Sequence, residues 1–277
     1  MSNKFTVACI QNSAIDDIDQ NVLDASELIH TAVGEGAEFV CLPEYFTCLE
    51  PTDSLYIERG YDESEHPALQ KFAELAAKLK TWLLLGSVAV KISDDKVANR
   101  SFLLNANGEV VQTYDKIHLF DVELKRGESY QESSTVAPGD RACVGELPWG
   151  RLGFSVCYDV RFPQLYRSLA HAGADFISIP AVFTATTGAA HWHVLVRARA
   201  IETGCYIFAP GQCGKRSWGR RTYGHSLIVD PWGEVLGDAG EDPGFILAEI
   251  DPAKVAEARH MIPSLSHDRA IASPRSP

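Results

Sequence analysis

The sequence predicts an α/β fold with a mixed sheet built partly from βαβ units. Three observations carry this. Segments with helical apolar spacing alternate with short apolar segments of strand character. Two hairpin patterns interrupt that alternation, one turning at Asn107-Gly108 and one at Pro231-Trp232-Gly233. Runs such as FVCLP and WLLLG are apolar on both faces, so strands made from them need cover on both sides.

The elements follow in order. FTVACIQ (5–11) is a short strand. Residues 25–36 form a helix with Leu28, Ile29, Ala32 and Val33 on one side, stopped by glycine. AEFVCLPE (37–44) is a strand ending at Pro43-Glu44. Residues 68–80 make a helix whose stripe is Leu69, Phe72, Leu75, Ala76 and Leu79. A buried strand (82–90) and a hairpin (100–116) come next. Residues 117–140 are irregular and polar, and long loops of this kind are expected near active sites. RLGFSVCY (151–158) is a strand, 163–173 a helix, 175–183 a strand and 191–204 a helix closed by Gly204. A strand (205–212), a hairpin (225–237) and a last strand (245–251) complete the order. Residues 262–277 hold three prolines and read as an extended tail. No repeat or boundary divides the chain, so 1–277 is expected to be one domain.

Composition narrows the function. At 277 residues, 45% hydrophobic and 22% charged, the chain has an ordinary soluble mixture. A net charge of −12 argues against a chain-wide nucleic-acid role. The most basic run, GKRSWGRRTYG (214–224), is either a solvated loop or one that presents Arg220 or Arg221 to an acidic substrate or a partner subunit. Seven cysteines with no CxxC pair make neither a disulfide framework nor a zinc site, and suit a reducing cytoplasm. His191 and His193 are two apart, so on a helix they face different ways and form no zinc pair. There is no signal-like or membrane-length apolar run. The expectation is a cytoplasmic protein without membrane partners.

Chemistry in α/β folds collects beyond the carboxyl ends of strands. Three reactive groups fall at such ends: Glu44 after CLP, Lys116 after the hairpin, and Cys157 after GFSV. Each has an ordinary reading, as a solvated carboxylate, a solvated ammonium and a cysteine closing a buried strand. As a set they are chemically coherent. A thiol needs a base to react at neutral pH, glutamate can take its proton, and lysine can hold charge growing on a carbonyl oxygen. Cys157 also stands where a strand gives way to a helix, a turn that exposes a side chain beside unpaired N–H groups. The stretch alone does not choose between core cysteine and nucleophile.

PEYF (43–46), YDKIHLFDVE (114–123) and SVCYDVRFPQLY (155–166), in that order and spacing, resemble the three motifs of the nitrilase superfamily of carbon–nitrogen hydrolases. The segments 183–214 and 222–235 are similar to the branch holding deaminated glutathione amidases and the related omega-amidases. The resemblance implies a four-layer α-β-β-α sandwich that pairs across a helical face into a homodimer or a higher homo-oligomer. It implies Glu44 as general base, Lys116 as oxyanion stabiliser, Cys157 as nucleophile and Glu132 as a supporting carboxylate. The activity implied is hydrolysis of a small carboxylate-bearing amide by water through a Cys157 thioester, with no metal or organic cofactor. Deaminated glutathione is the first substrate expected and α-ketoglutaramate the alternative. A nitrile, an N-carbamoyl amine or a non-catalytic thiol sensor comes further behind.

For substrate binding the expected groups are the Tyr158 N–H, Arg161 for a carboxylate, and Phe183 and Thr184 at the end of the next strand. Arg197 and Arg199 are expected in structural or subunit-interface ion pairs. One residue departs from the branch: His193 stands where glutamate is usual.

Overall fold

Alternation along the first strand sets the layering. β1 (Phe5–Gln11) turns Val7 and Cys9 one way and Ala8 and Ile10 the other, and all four are fully buried. Each face of this strand therefore needs a neighbour. The computed structural model, which describes residues 4–50, 52, 54–124 and 129–273, supplies both.

The first half of the chain contributes α1 (Ile18–Gly34), β2 (Phe39–Cys41), α2 (Ser54–Glu58), α3 (Pro67–Leu79), β3 (Trp82–Lys91), β4 (Val97–Leu104) and β5 (Val110–Asp115). Two short strands follow, β6 (Asp121–Glu123) and β7 (Ser129–Gln131). The second half contributes β8 (Val144–Leu147), β9 (Gly150–Phe154), α4 (Pro163–His171), β10 (Phe176–Ser178), α5 (Ala185–Thr203) and β11 (Tyr206–Ala209). β12 (Cys213–Lys215), β13 (Arg221–Tyr223), β14 (Leu227–Val229), β15 (Val235–Asp238), β16 (Gly244–Ile250) and α6 (Ala253–Met261) complete it.

Two six-stranded sheets result, ordered β16-β1-β2-β3-β4-β5 and β15-β14-β11-β10-β9-β8. The centre of each is parallel, with Cys9 opposite Cys41, Cys41 opposite Leu84, and Ile177 between Gly153 and Ile207. Antiparallel strands flank these centres. Ala8, Ile10, Val40, Leu83 and Leu85 pack with Ile29 of α1 and Phe72 of α3. Val7, Cys9, Phe39 and Leu84 pack instead with Phe154, Phe176 and Phe208 of the second sheet. Phe39 meets Phe208 edge-on at 6.0 Å between ring centroids. Leu169 of α4 and Trp192 and Val196 of α5 join the packing of the second sheet. The expected α-β-β-α sandwich is formed, and its inner layer is apolar because both sheets put branched and aromatic side chains there.

Caps, not apolar stripes, fix where helices start. α1 begins at Ile18, ahead of the expected 25, because the Asp17 carboxylate accepts the Gln20 N–H at 3.1 Å. α5 begins at Ala185 and not at 191, because the Thr184 hydroxyl accepts the Thr187 N–H at 3.2 Å. Its first turns, ATTGAA, are small and carry no periodic signal. Gly188 is required there, since a Cβ would lie 2.2 Å from the Tyr223 ring. After α6 the chain turns back on α4, where Asp268 pairs with Arg167 and lies 2.7 Å from His171. Among the described residues no helix is long and apolar enough to cross a membrane.

Candidate active site

The turn after β9 carries the thiol. Cys157 opens a short 3-10 turn, Cys157–Arg161, with a positive φ of 49°. A non-glycine residue there costs about 1–2 kcal/mol, so the surroundings must hold it. They do so through its neighbours. The Cys157 N–H donates to the Pro180 carbonyl at 2.8 Å. Asp159, wholly buried, accepts the Val156 N–H at 2.9 Å, the Tyr114 hydroxyl at 2.7 Å and the His118 N–H at 3.0 Å. The His118 ring lies 2.7 Å from the same carboxylate and stacks on Phe162 at 3.6 Å. Asp159 thus ties the Cys157 turn to the chain segment just past Lys116.

Opposite the thiol, the first sheet delivers the charges. Glu44 follows β2 and Lys116 follows β5; they are 3% and 2% exposed. Lys116 Nζ donates to Glu44 Oε1 at 2.9 Å and to Glu132 Oε2 at 2.8 Å. Asn99, on β4 between them, donates to Glu44 at 2.9 Å and to Glu132 at 3.2 Å. The second oxygen of Glu44 accepts the Val182 N–H at 2.9 Å, which links it to the second sheet. Glu132 also takes the Phe120 N–H at 2.6 Å.

Electrostatics follow from this arrangement. Burial lowers the pKa of Lys116, but Glu132 and Glu44 outweigh it and hold the ammonium's pKa well above its ordinary range. Burial pushes the Cys157 thiol up, and the negative charge and hydrogen bond of Glu44 push it further, against the opposing pull of Lys116. The Cys157 sulfur is held as a thiol beside the Glu44 carboxylate. The ammonium lies between the two carboxylates.

These groups open on one cavity. Glu44, Lys116, Glu132 and Cys157 line its floor. Tyr158, Phe120, Tyr130, Phe183, Thr184 and Arg220 line its walls. The Tyr158 N–H is the second of its turn, a position without an intrahelical partner. Phe183 and Thr184, expected at the pocket, are there. Arg161 is not among the lining residues. Its guanidinium sits behind the wall, 5.7 Å from the Tyr158 ring and 5.5 Å from the Phe183 ring, and donates to His191 Nδ1 at 3.3 Å. The arginine that faces the cavity is Arg220, from the basic Gly-rich loop, its guanidinium 5.3 Å from the Tyr130 ring. Of the interface candidates, Arg199 is buried and pairs with Glu202 within its own helix.

Sequence reasoning missed Asn99 and Asp159. Asn99 sits in a mostly apolar strand that gives it no motif, and only the register of β4 against β5 brings it beside Lys116. Asp159 carried a signal, an acidic residue two after the thiol and buried by its context, but its partners are 41 and 45 residues away.

Comparison with known proteins covers nearly the whole chain. The family profile described as carbon-nitrogen hydrolase matches residues 6–260. A deaminated glutathione amidase of Synechocystis sp. is 41% identical over 268 residues, covering 95% of this chain and 97% of its own. The Homo sapiens deaminated glutathione amidase is 39% identical, covering 95% and 82%. Among solved structures, the C. elegans NitFhit protein superposes with a TM-score of 0.90 at 35% identity; the match covers 97% of this chain and 66% of that one. Saccharomyces cerevisiae Nit3, a member of branch 10 of the nitrilase superfamily, superposes with a TM-score of 0.85 at 30% identity, covering 94% of each.

Proposed function

The chain belongs to the carbon-nitrogen hydrolase family, and from that membership we propose that it hydrolyses the γ-amide of deaminated glutathione through a thioester on Cys157. The observation that carries the mechanism is the shared ammonium: Lys116 held between Glu44 and Glu132 on the floor of the thiol's cavity. Glu44 takes the Cys157 proton as sulfur attacks the amide carbon. Lys116 and the Tyr158 N–H take the negative charge that develops on oxygen. Collapse expels the amine of cysteinylglycine, which receives the proton from Glu44. Glu44 then takes a proton from water, whose oxygen attacks the thioester. Collapse returns the proton to sulfur and releases 2-oxoglutarate. Glu132 keeps Lys116 oriented through both steps.

The substrate is a glutathione whose glutamyl amine has become a keto group, so it carries a carboxylate at each end. Arg220 is the cationic wall group suited to one of them. A groove shared through Tyr130 and Arg220 runs outward past Trp218 and Arg221, and has room for the cysteinylglycine half. Arg161 supports the wall through Tyr158 and Phe183. Two further readings go with this one. A homodimer fits the exposed Val194 and Ile201 of α5 and the exposed Trp232 nearby. A cytoplasmic location fits seven free thiols.

The test measures 2-oxoglutarate released from deaminated glutathione and from α-ketoglutaramate by the wild type and by Cys157→Ser. Preference for deaminated glutathione, abolished in the variant, is expected. Preference for α-ketoglutaramate would keep the mechanism and replace the substrate. Equal rates in both proteins would overturn the assignment of Cys157.

A further inference from the structure

Away from the cavity, three side chains from three elements converge. His193 lies on α5, His225 just before β14, and Asp238 ends β15. His193 Nε2 is 2.9 Å from Asp238 Oδ2, and His225 Nδ1 is 2.9 Å from Asp238 Oδ1. One donor atom from each lies within 4.8 Å of the others. We propose that His193, His225 and Asp238 form a binding site for a divalent transition-metal ion of the zinc type, with water completing the coordination.

The donor set is the one such an ion prefers, two imidazoles and a carboxylate. Bonds of about 2.0–2.2 Å put tetrahedral donors roughly 3.4 Å apart. The 2.9 Å pairs need to open by about half an ångström to admit the ion. The surroundings already hold the ligands in place. The His225 ring stacks on Tyr223 at 4.4 Å, and its carbonyl accepts the Trp192 indole N–H at 2.7 Å. The Gly240 N–H donates to Asp238 Oδ1 at 2.9 Å. The His225 N–H donates to the Gly240 carbonyl at 2.7 Å. The ligands are about one-fifth to one-third exposed, so an ion can enter from solvent.

His193 stands where the resemblance to the branch leads one to expect glutamate. The exchange replaces a second carboxylate with an imidazole and completes the donor set. An ion there would fasten α5 to the β14–β15 hairpin. Trp192, next to His193, packs on the cavity residue Phe183 at 4.7 Å, so the clamp would brace one wall of the pocket.

The experiment titrates Co2+, and separately Zn2+, into the full chain carrying Cys157→Ser, so that the reactive thiol does not compete. Calorimetry and the visible d–d spectrum read binding. The expected result is one equivalent bound at micromolar or tighter affinity, with no sulfur-to-cobalt charge-transfer band, and a higher melting temperature. His193→Gln and Asp238→Asn, each in the same background, should each weaken binding at least tenfold and abolish the metal-induced rise in melting temperature. A circular-dichroism spectrum checks that each variant is folded. No binding at 100-fold excess metal, binding with a thiolate band, or binding unchanged in both variants would overturn the proposal.

Discussion

Lys116 Nζ stands 2.9 Å from Glu44 Oε1, and water reaches almost nothing of either side chain. The pair exists because β2 and β5 end on the same side of the first sheet. With Glu132 it places two carboxylates around one buried ammonium.

Removing that ammonium leaves two buried negative charges with one countercharge missing. Lys116→Met is expected to lose about 3–5 kcal/mol of stability and about 10²–10³ in kcat. Urea unfolding and steady-state rates check this. A variant as stable as wild type would show that the carboxylates do not depend on Lys116.

Glu44→Gln separates two roles of one residue. The glutamate's charge and hydrogen bond help hold the thiol proton, while Lys116 opposes them. In the variant, catalysis should fall by at least about 10²-fold, yet the pH midpoint for alkylation of Cys157 should move down. Peptide mass spectrometry after iodoacetamide pulses reads that midpoint. An unchanged or higher midpoint would refute the electrostatic account.

Asp159 acts by positioning. Asp159→Asn keeps its size but cannot accept from Val156, Tyr114 and both His118 donors in the same pattern. The expected outcome is a kcat reduced about 10- to 100-fold with KM nearly unchanged. Tyr114→Phe, which removes one of these bonds, should cost about 1–2 kcal/mol and a smaller share of kcat. A change confined to KM would place Asp159 in substrate binding.

His66 supplies an acid-sensitive element remote from the site. It is buried, its Nδ1 accepts the Ala68 N–H at 3.3 Å to cap α3, and burial pulls its pKa down to about 4. Between that value and the ordinary 6.5 the unfolded chain binds more protons than the folded one, so stability falls as pH falls through this window. The loss is about 3 kcal/mol when complete. His66→Asn retains a cap and removes the titration. Its stability should change less between pH 7 and pH 4 than that of wild type, as thermal melts will show.

The layering was legible because it rests on local pattern: FVCLP and WLLLG required cover on both faces, and that cover is present as α1 and α3 on one side and the second sheet on the other. Glu44, Lys116, Glu132 and Cys157 were legible as motif residues, and the fold brings them to one cavity. The starts of α1 and α5 were not, because a single hydroxyl or carboxylate cap sets them and the first turns are polar or small. Arg220 was visible only as one of two alternatives, Arg220 or Arg221, since which of them faces the cavity depends on how residues 214–224 fold over Tyr130. The His193, His225 and Asp238 cluster was hidden for the same reason: its members are 32 and 13 residues apart and meet through sheet register.

The central claim is that Cys157 carries the acyl group. The direct measurement is acid quenching of the wild-type protein during turnover of saturating deaminated glutathione, followed by peptide mass spectrometry. The account predicts a 2-oxoglutaryl group on the peptide containing Cys157, absent when Cys157→Ser is treated alike. Release of 2-oxoglutarate with Cys157 unmodified at every quench time, or with the acyl group on another residue, would contradict it.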